Sequence, residues 1–223
     1  MPTVEPDPHT PRRIILGISG ASGALYAQRA LTALLASGVE VHLVITDYGK
    51  RLLHDELGFE GPLATWMPRL AAIPEPPADA DPTAHARAHN IVLHPIRDVG
   101  ANIASGSFRH DGMLIMPCSS NTLGQIASGL GDTLLTRAAA VCLKERFPLV
   151  LCHRESPLSL VDIENMRTLT LAGASICPAN PGWYLNPQSL DDIVDFVVAR
   201  ALDQLRIPHN VGKRWGHAAP SQP

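Results

Sequence analysis

The side chains of this chain that could do chemistry collect behind apolar runs. Gly20-Ala21-Ser22-Gly23 follows Ile14-Ile15-Leu16-Gly17-Ile18, and Thr46 follows Val39 to Ile45. Ser119-Ser120-Asn121-Thr122 follows Gly112 to Cys118, and His153-Arg154-Glu155 follows Pro148 to Cys152. An apolar run ending in a glycine turn that opens a helix brings unpaired N–H groups and the positive end of a helix dipole to one point, which suits an anion such as phosphate. The first turn alone is weak evidence. It is neither the dinucleotide fingerprint nor the P-loop, and a βα turn without ligand explains it equally well. The second turn, with four small polar residues, strengthens the case. Ser19 and Ser22 are candidate caps for the first helix, and Thr46 suits either a ligand bond or a cap. Arg154 and Glu155 read as a site or as an ordinary solvated ion pair.

These residues need a scaffold, and the hydrophobic pattern supplies one. Buried strands are expected at about 13–18, 39–45, 91–95, 112–117, 148–152 and 174–178. Helices are expected at 23–36, 48–57, 123–127, 133–144, 159–171 and 189–205, with Leu160, Ile163, Met166, Leu169 and Thr170 on one side of the fifth. Alternating strands and helices predict an α/β fold, a doubly wound parallel sheet in three α/β/α layers, whose ligands gather at the carboxyl ends of the strands. Residues 1–12 read as a disordered tail and 13–205 as one domain. Residues 206–223 read as a tail that packs on a neighbouring subunit, because it holds Trp215. Residues 58–90 are rich in Pro and Ala and read as an excursion with one short helix near 63–72. His85 and His89 are four apart, but no carboxylate motif accompanies them, so a solvated surface is expected rather than a metal.

Composition removes several function classes. The net charge of −3 over 223 residues and 4 % aromatics argue against nucleic acid or an anionic membrane as partner. The four cysteines lack zinc spacing and read as reduced thiols. Nothing in the chain reads as a signal peptide or membrane span, so a cytoplasmic protein is expected.

Six motifs in order carry a resemblance: Gly20 to Ala24, Ala104 to Phe108, Asp111 to Ser119, Leu143 to Leu151, Arg154 to Pro157 and Pro178 to Ser189. Together they resemble the UbiX-type flavin prenyltransferases over about 13–56 and 91–216. The resemblance implies a flavodoxin-like Rossmann fold, a homododecamer, and no metal. It implies transfer of a dimethylallyl group from dimethylallyl monophosphate to N5 and C6 of reduced FMN, making prenylated FMN for a UbiD-type decarboxylase. It places Gly20, Ala21, Ser22, Thr46, Ser119, Ser120, Asn121, Thr122 and Arg154 on FMN. It places Tyr184, Arg200, Arg137, Lys144 and Trp215 on the prenyl phosphate or prenyl group. Glu155 falls on the catalytic glutamate, Glu56 on a second carboxylate, and Ser22 on a proton-relay or orienting position. Some family sites are shared between subunits. Thr46, Asn180, Trp183 and Leu185 depart from the usual residues of the family.

Two other readings are set beside this one. An FMN-dependent cysteine decarboxylase of the same fold would need a catalytic histidine after an early strand, and no matching histidine follows strand two. A non-catalytic FMN carrier would need no second cationic clamp beside the flavin.

Overall fold

The structure is a computed structural model and describes residues 11–214. Its sheet has six parallel strands in the order β3-β2-β1-β4-β5-β6. In chain order the elements are β1 (Arg13–Ile18), α1 (Ala24–Ala36), β2 (Glu40–Ile45), α2 (Asp47–Leu57), a 3-10 turn (Leu63–Trp66), α3 (Met67–Ala71), α4 (Pro82–Ala88), β3 (Ile91–His94), a second 3-10 turn (Asn102–Ala104), β4 (Gly112–Cys118), α5 (Ser120–Ala127), α6 (Leu134–Glu145), β5 (Leu149–His153), α7 (Leu160–Ala172), β6 (Ser175–Ile176) and α8 (Leu190–Gln204). The central strands are apolar along their length because each is covered on both faces. One core joins α1, α3 and α8 to Ile14, Leu16 and Leu114. The other joins α5 and α6 to Ile15, Met113 and Ile115. This is the three-layer, doubly wound fold the pattern predicts.

β1 pairs with β2 on one side and β4 on the other, so the chain order reverses between β1 and β4. Ligand crevices of open α/β sheets form at such a switch point, beyond the carboxyl ends of the strands. Both polar turns found in the sequence end there.

Four local expectations need correction. The excursion 58–90 is part of the fold: Trp66, Met67, Leu70 and Ala86 are buried in the first core. It contains a second helix, α4, which begins with Asp81 capping the Thr83 amide and Pro82 in the first turn. His89 lies just past its end; its ring meets that of His85 at 4.5 Å, and His85 bonds the Pro74 carbonyl. Second, the last strand is only two residues long. Third, the apolar side of α7 is not a core face: Leu169 is buried, whereas Leu160 and Ile163 are exposed. Fourth, the tail boundaries shift. Arg12 donates to the Arg206 carbonyl at 2.6 Å, and Ile207 and Val211 are buried in their own chain's core. Residues 206–214 therefore pack on α8 of their own chain, and Trp215 lies outside the described residues.

Candidate active site

The floor of the crevice is held by Ser19, the last buried residue of the β1 run. Its hydroxyl donates to the Pro117 carbonyl at 2.9 Å and accepts from the Ser119 amide at 2.8 Å. The loops after β1 and β4 are thus one unit. Gly20 is required by close approach, since a Cβ there would meet Tyr48 Cβ at 2.4 Å.

Neither expected serine caps α1. Its N-cap is Gly23, at φ 130°, which has no side chain to offer. Glu56 from α2 does the work, accepting from the Gly23 amide at 3.1 Å and the Ala24 amide at 2.8 Å. A carboxylate on a helix N-terminus is favoured by the dipole. Thr46 is the N-cap of α2 and accepts from the Gly49 amide at 2.9 Å.

Ser119 caps α5 by accepting from the Thr122 amide, and its hydroxyl donates to that of Thr122. Ser120 is held by the buried His153 ring at 3.1 Å. Behind them stands Asp162, whose carboxylate accepts from the Ser159 amide at 2.9 Å and hydroxyl at 2.6 Å. The Ser120 and Ser159 hydroxyls lower the Asp162 carboxyl to about 2. Burial lowers His153, favouring the neutral ring. Sequence reading missed this support, although Ser159-x-x-Asp162 has the spacing of a capping box.

After this accounting, the amides of Gly20, Ala21 and Ser22 donate to no protein group among the described residues. The first amides of α2 and α5 are likewise unpaired, as helix geometry requires. Successive free amides form an anion-binding concavity, so the loops fit a phosphate. Arg154 bridges the crevice: its amide donates to the Cys118 carbonyl at 3.2 Å and its Nε to the Ser22 carbonyl at 3.0 Å. Glu155 is exposed beside it. Its carboxylate accepts from the Ser156 amide at 3.0 Å. Glu155 lines an open cleft of about 530 Å3 with Ser120, Asn121, Ser159 and Asp162.

A second cavity, of about 240 Å3, lies on α8 and shares no lining residue with the first; Tyr184, Arg200, Asp203, Lys213 and Arg214 line it. Tyr184 packs edge-on against Phe196 with ring centroids 5.7 Å apart. The loop carrying Tyr184 leaves the sheet beside the site, with the Ala179 amide bonded to the His153 carbonyl at 2.9 Å. Arg137 and Lys144 line neither cavity. They are exposed on α6, where Lys144 pairs with its neighbour Glu145. One chain therefore does not bring the expected clamp together.

Fold and site define a flavodoxin-like α/β protein whose strand-end loops carry free amides that fit a phosphate. The family model described as Flavoprotein matches residues 3–202. A flavin prenyltransferase UbiX from Synechocystis sp. is 43% identical over 206 residues, covering 91% of this chain and 95% of that protein. The crystal structure of AnUbiX in complex with FMN and dimethylallyl pyrophosphate has a TM-score of 0.77 and 37% identity, covering 92% of this chain and 98% of that one. A dodecameric FMN-dependent UbiX-like decarboxylase from Escherichia coli has a TM-score of 0.76 and 39% identity, covering 91% and 98%. The chain belongs to the flavoprotein family and, within it, to the UbiX-type flavin prenyltransferases.

Proposed function

We propose that this chain prenylates reduced FMN with dimethylallyl monophosphate and that a UbiD-type decarboxylase receives the product. The observation that carries the reading is the crevice at the switch point: Arg154 reaches the free-amide turn after β1, and the next residue, Glu155, lines a cleft with α5's N-terminus. Gly20, Ala21, Ser22, Thr46, Ser119 to Thr122 and Arg154 would hold the flavin, which supplies the nucleophilic atoms of the reaction.

The donor's carbon–oxygen bond breaks with its electron pair leaving on phosphate. Tyr184 and Arg200 stabilise that charge, since a guanidinium matches phosphate oxygens in a fork. A neighbouring copy of the chain supplies Arg137 and Lys144 to complete the clamp. The open apolar face of α7, with Leu160, Val161 and Ile163 exposed, supports assembly, as does the dodecameric relative. For Trp215, which lies outside the described residues, the resemblance implies an aromatic face for the allylic cation. Glu155, exposed where substrate can reach it, would exchange the protons of ring closure, giving one to the prenyl double bond and taking the one released from C6. Ser22 in the turn after β1, and Glu56 reaching that turn from α2, orient that exchange. The four free cysteines fit a reducing, cytoplasmic compartment.

The test is an anaerobic incubation with reduced FMN and dimethylallyl monophosphate, followed by mass analysis of the released flavin. A flavin heavier by one five-carbon unit is expected. Glu155→Gln is expected to keep FMN affinity and lower product formation by about 100-fold or more. Unmodified flavin from the wild type would refute the reading.

A further inference from the structure

We infer that Asp203 is a positioning residue of the α8 cavity, a carboxylate that holds two guanidiniums, Arg200 and Arg214, ready for one phosphate. The inference deepens the reading above and rests on its assignment of this cavity to the donor's phosphate.

Asp203 stands three residues after Arg200 on α8. Its Oδ2 accepts from Arg200 Nη1 at 3.0 Å. Its Oδ1 accepts from Arg214 Nη2 at 2.9 Å and faces His209 Nε2 at 3.2 Å. The His209 side chain is buried, whereas Arg200 and Arg214 remain about half exposed at the cavity. Asp203 thus anchors on its inner side and presents cations on its outer side. Lys213, paired with Asp192 at 3.6 Å, lines the same wall. The lining sets three cations against a single carboxylate.

Two guanidiniums repel each other, and both are long and flexible. A carboxylate between them cancels the repulsion and fixes both directions. Each guanidinium carries five N–H donors, so enough are left for phosphate oxygens. Binding then costs less ordering. The role of Arg214 follows from the same geometry: it is a second phosphate-facing cation, delivered by the segment after α8 and held by Asp203.

The sign of one measurement decides the matter. If Asp203 were only a negative neighbour, Asp203→Asn would tighten anion binding. If it positions the two arginines, the substitution weakens it. Titration calorimetry with inorganic phosphate, on the full chain saturated with FMN, should show about ten-fold weaker binding for Asp203→Asn. The KM for dimethylallyl monophosphate should rise by a similar factor, FMN affinity should hold, and Asp203→Glu should recover part of the loss. Unchanged or tighter phosphate binding in a folded Asp203→Asn protein overturns the inference. Should that variant not fold, Arg214→Gln decides it: weaker phosphate binding supports the inference and unchanged binding overturns it. Absence of prenylated flavin from the wild type would sink the transferase reading, while the phosphate titration still decides this one.

Discussion

The crevice at the switch point and the cavity on α8 both suit phosphate, by opposite means. The crevice uses backbone amides, fixed by strands, caps and one buried hydroxyl. The cavity uses long charged side chains, fixed by each other. Backbone amides carry no net charge and cannot swing away, so they suit a group bound the same way before and after reaction. Guanidiniums and a phenol respond to charge that grows during reaction, so they suit a leaving group.

Substitutions can break this contrast. The largest effect is expected at the cavity, where Arg200→Gln should lower kcat/KM for the allylic phosphate by about 100-fold, with FMN affinity unchanged. Steady-state rates and fluorescence quenching of FMN would show it; a parallel loss of FMN binding would erase the division of labour. The crevice should respond in stability. Ser19→Ala removes a buried hydroxyl and leaves the part-buried Ser119 amide unpaired, and should cost about 2 kcal/mol in urea unfolding, with weaker FMN binding. The smallest effect concerns pH. The Asp162 carboxyl is held near 2 in the fold, below its ordinary value. The unfolded chain therefore binds the proton first, so this stabilisation is complete above about pH 5 and is lost as pH falls toward 2. Allowing for solvent screening, it amounts to about 1 kcal/mol, and Asp162→Asn should flatten the acid limb of stability by that amount.

The same contrast explains what the sequence revealed. β1, β2, β4 and β5 were legible because a strand buried on both faces must be apolar throughout. The turns after β1 and β4 were legible because strand, small polar residues and helix are contiguous. The work of individual hydroxyls was not. Ser19 and Ser22 were equal candidates for capping α1, yet Ser19 ties two strands and the cap comes from Glu56, thirty-three residues away in the chain. α4 went unread because the prolines around it masked Asp81-Pro82, a sound helix start. α7 misled in the other direction: its stripe has the spacing of a core helix, but the fold leaves it open. Asp203 carried a local signal, three residues from Arg200 on a predicted helix. The contribution of Arg214 needed the folded segment after α8.

Glu56 also makes the crevice lopsided. Its carboxylate already occupies the first amides of α1, so a phosphate approaching that side meets a like charge. At ~4 Å such repulsion amounts to roughly 1 to 4 kcal/mol between surface and bulk-water limits. The free amides of Gly20 to Ser22 and of α5 carry no such occupant. The charge of Glu56 therefore favours an anionic group on these free amides over one on the amides of Gly23 and Ala24.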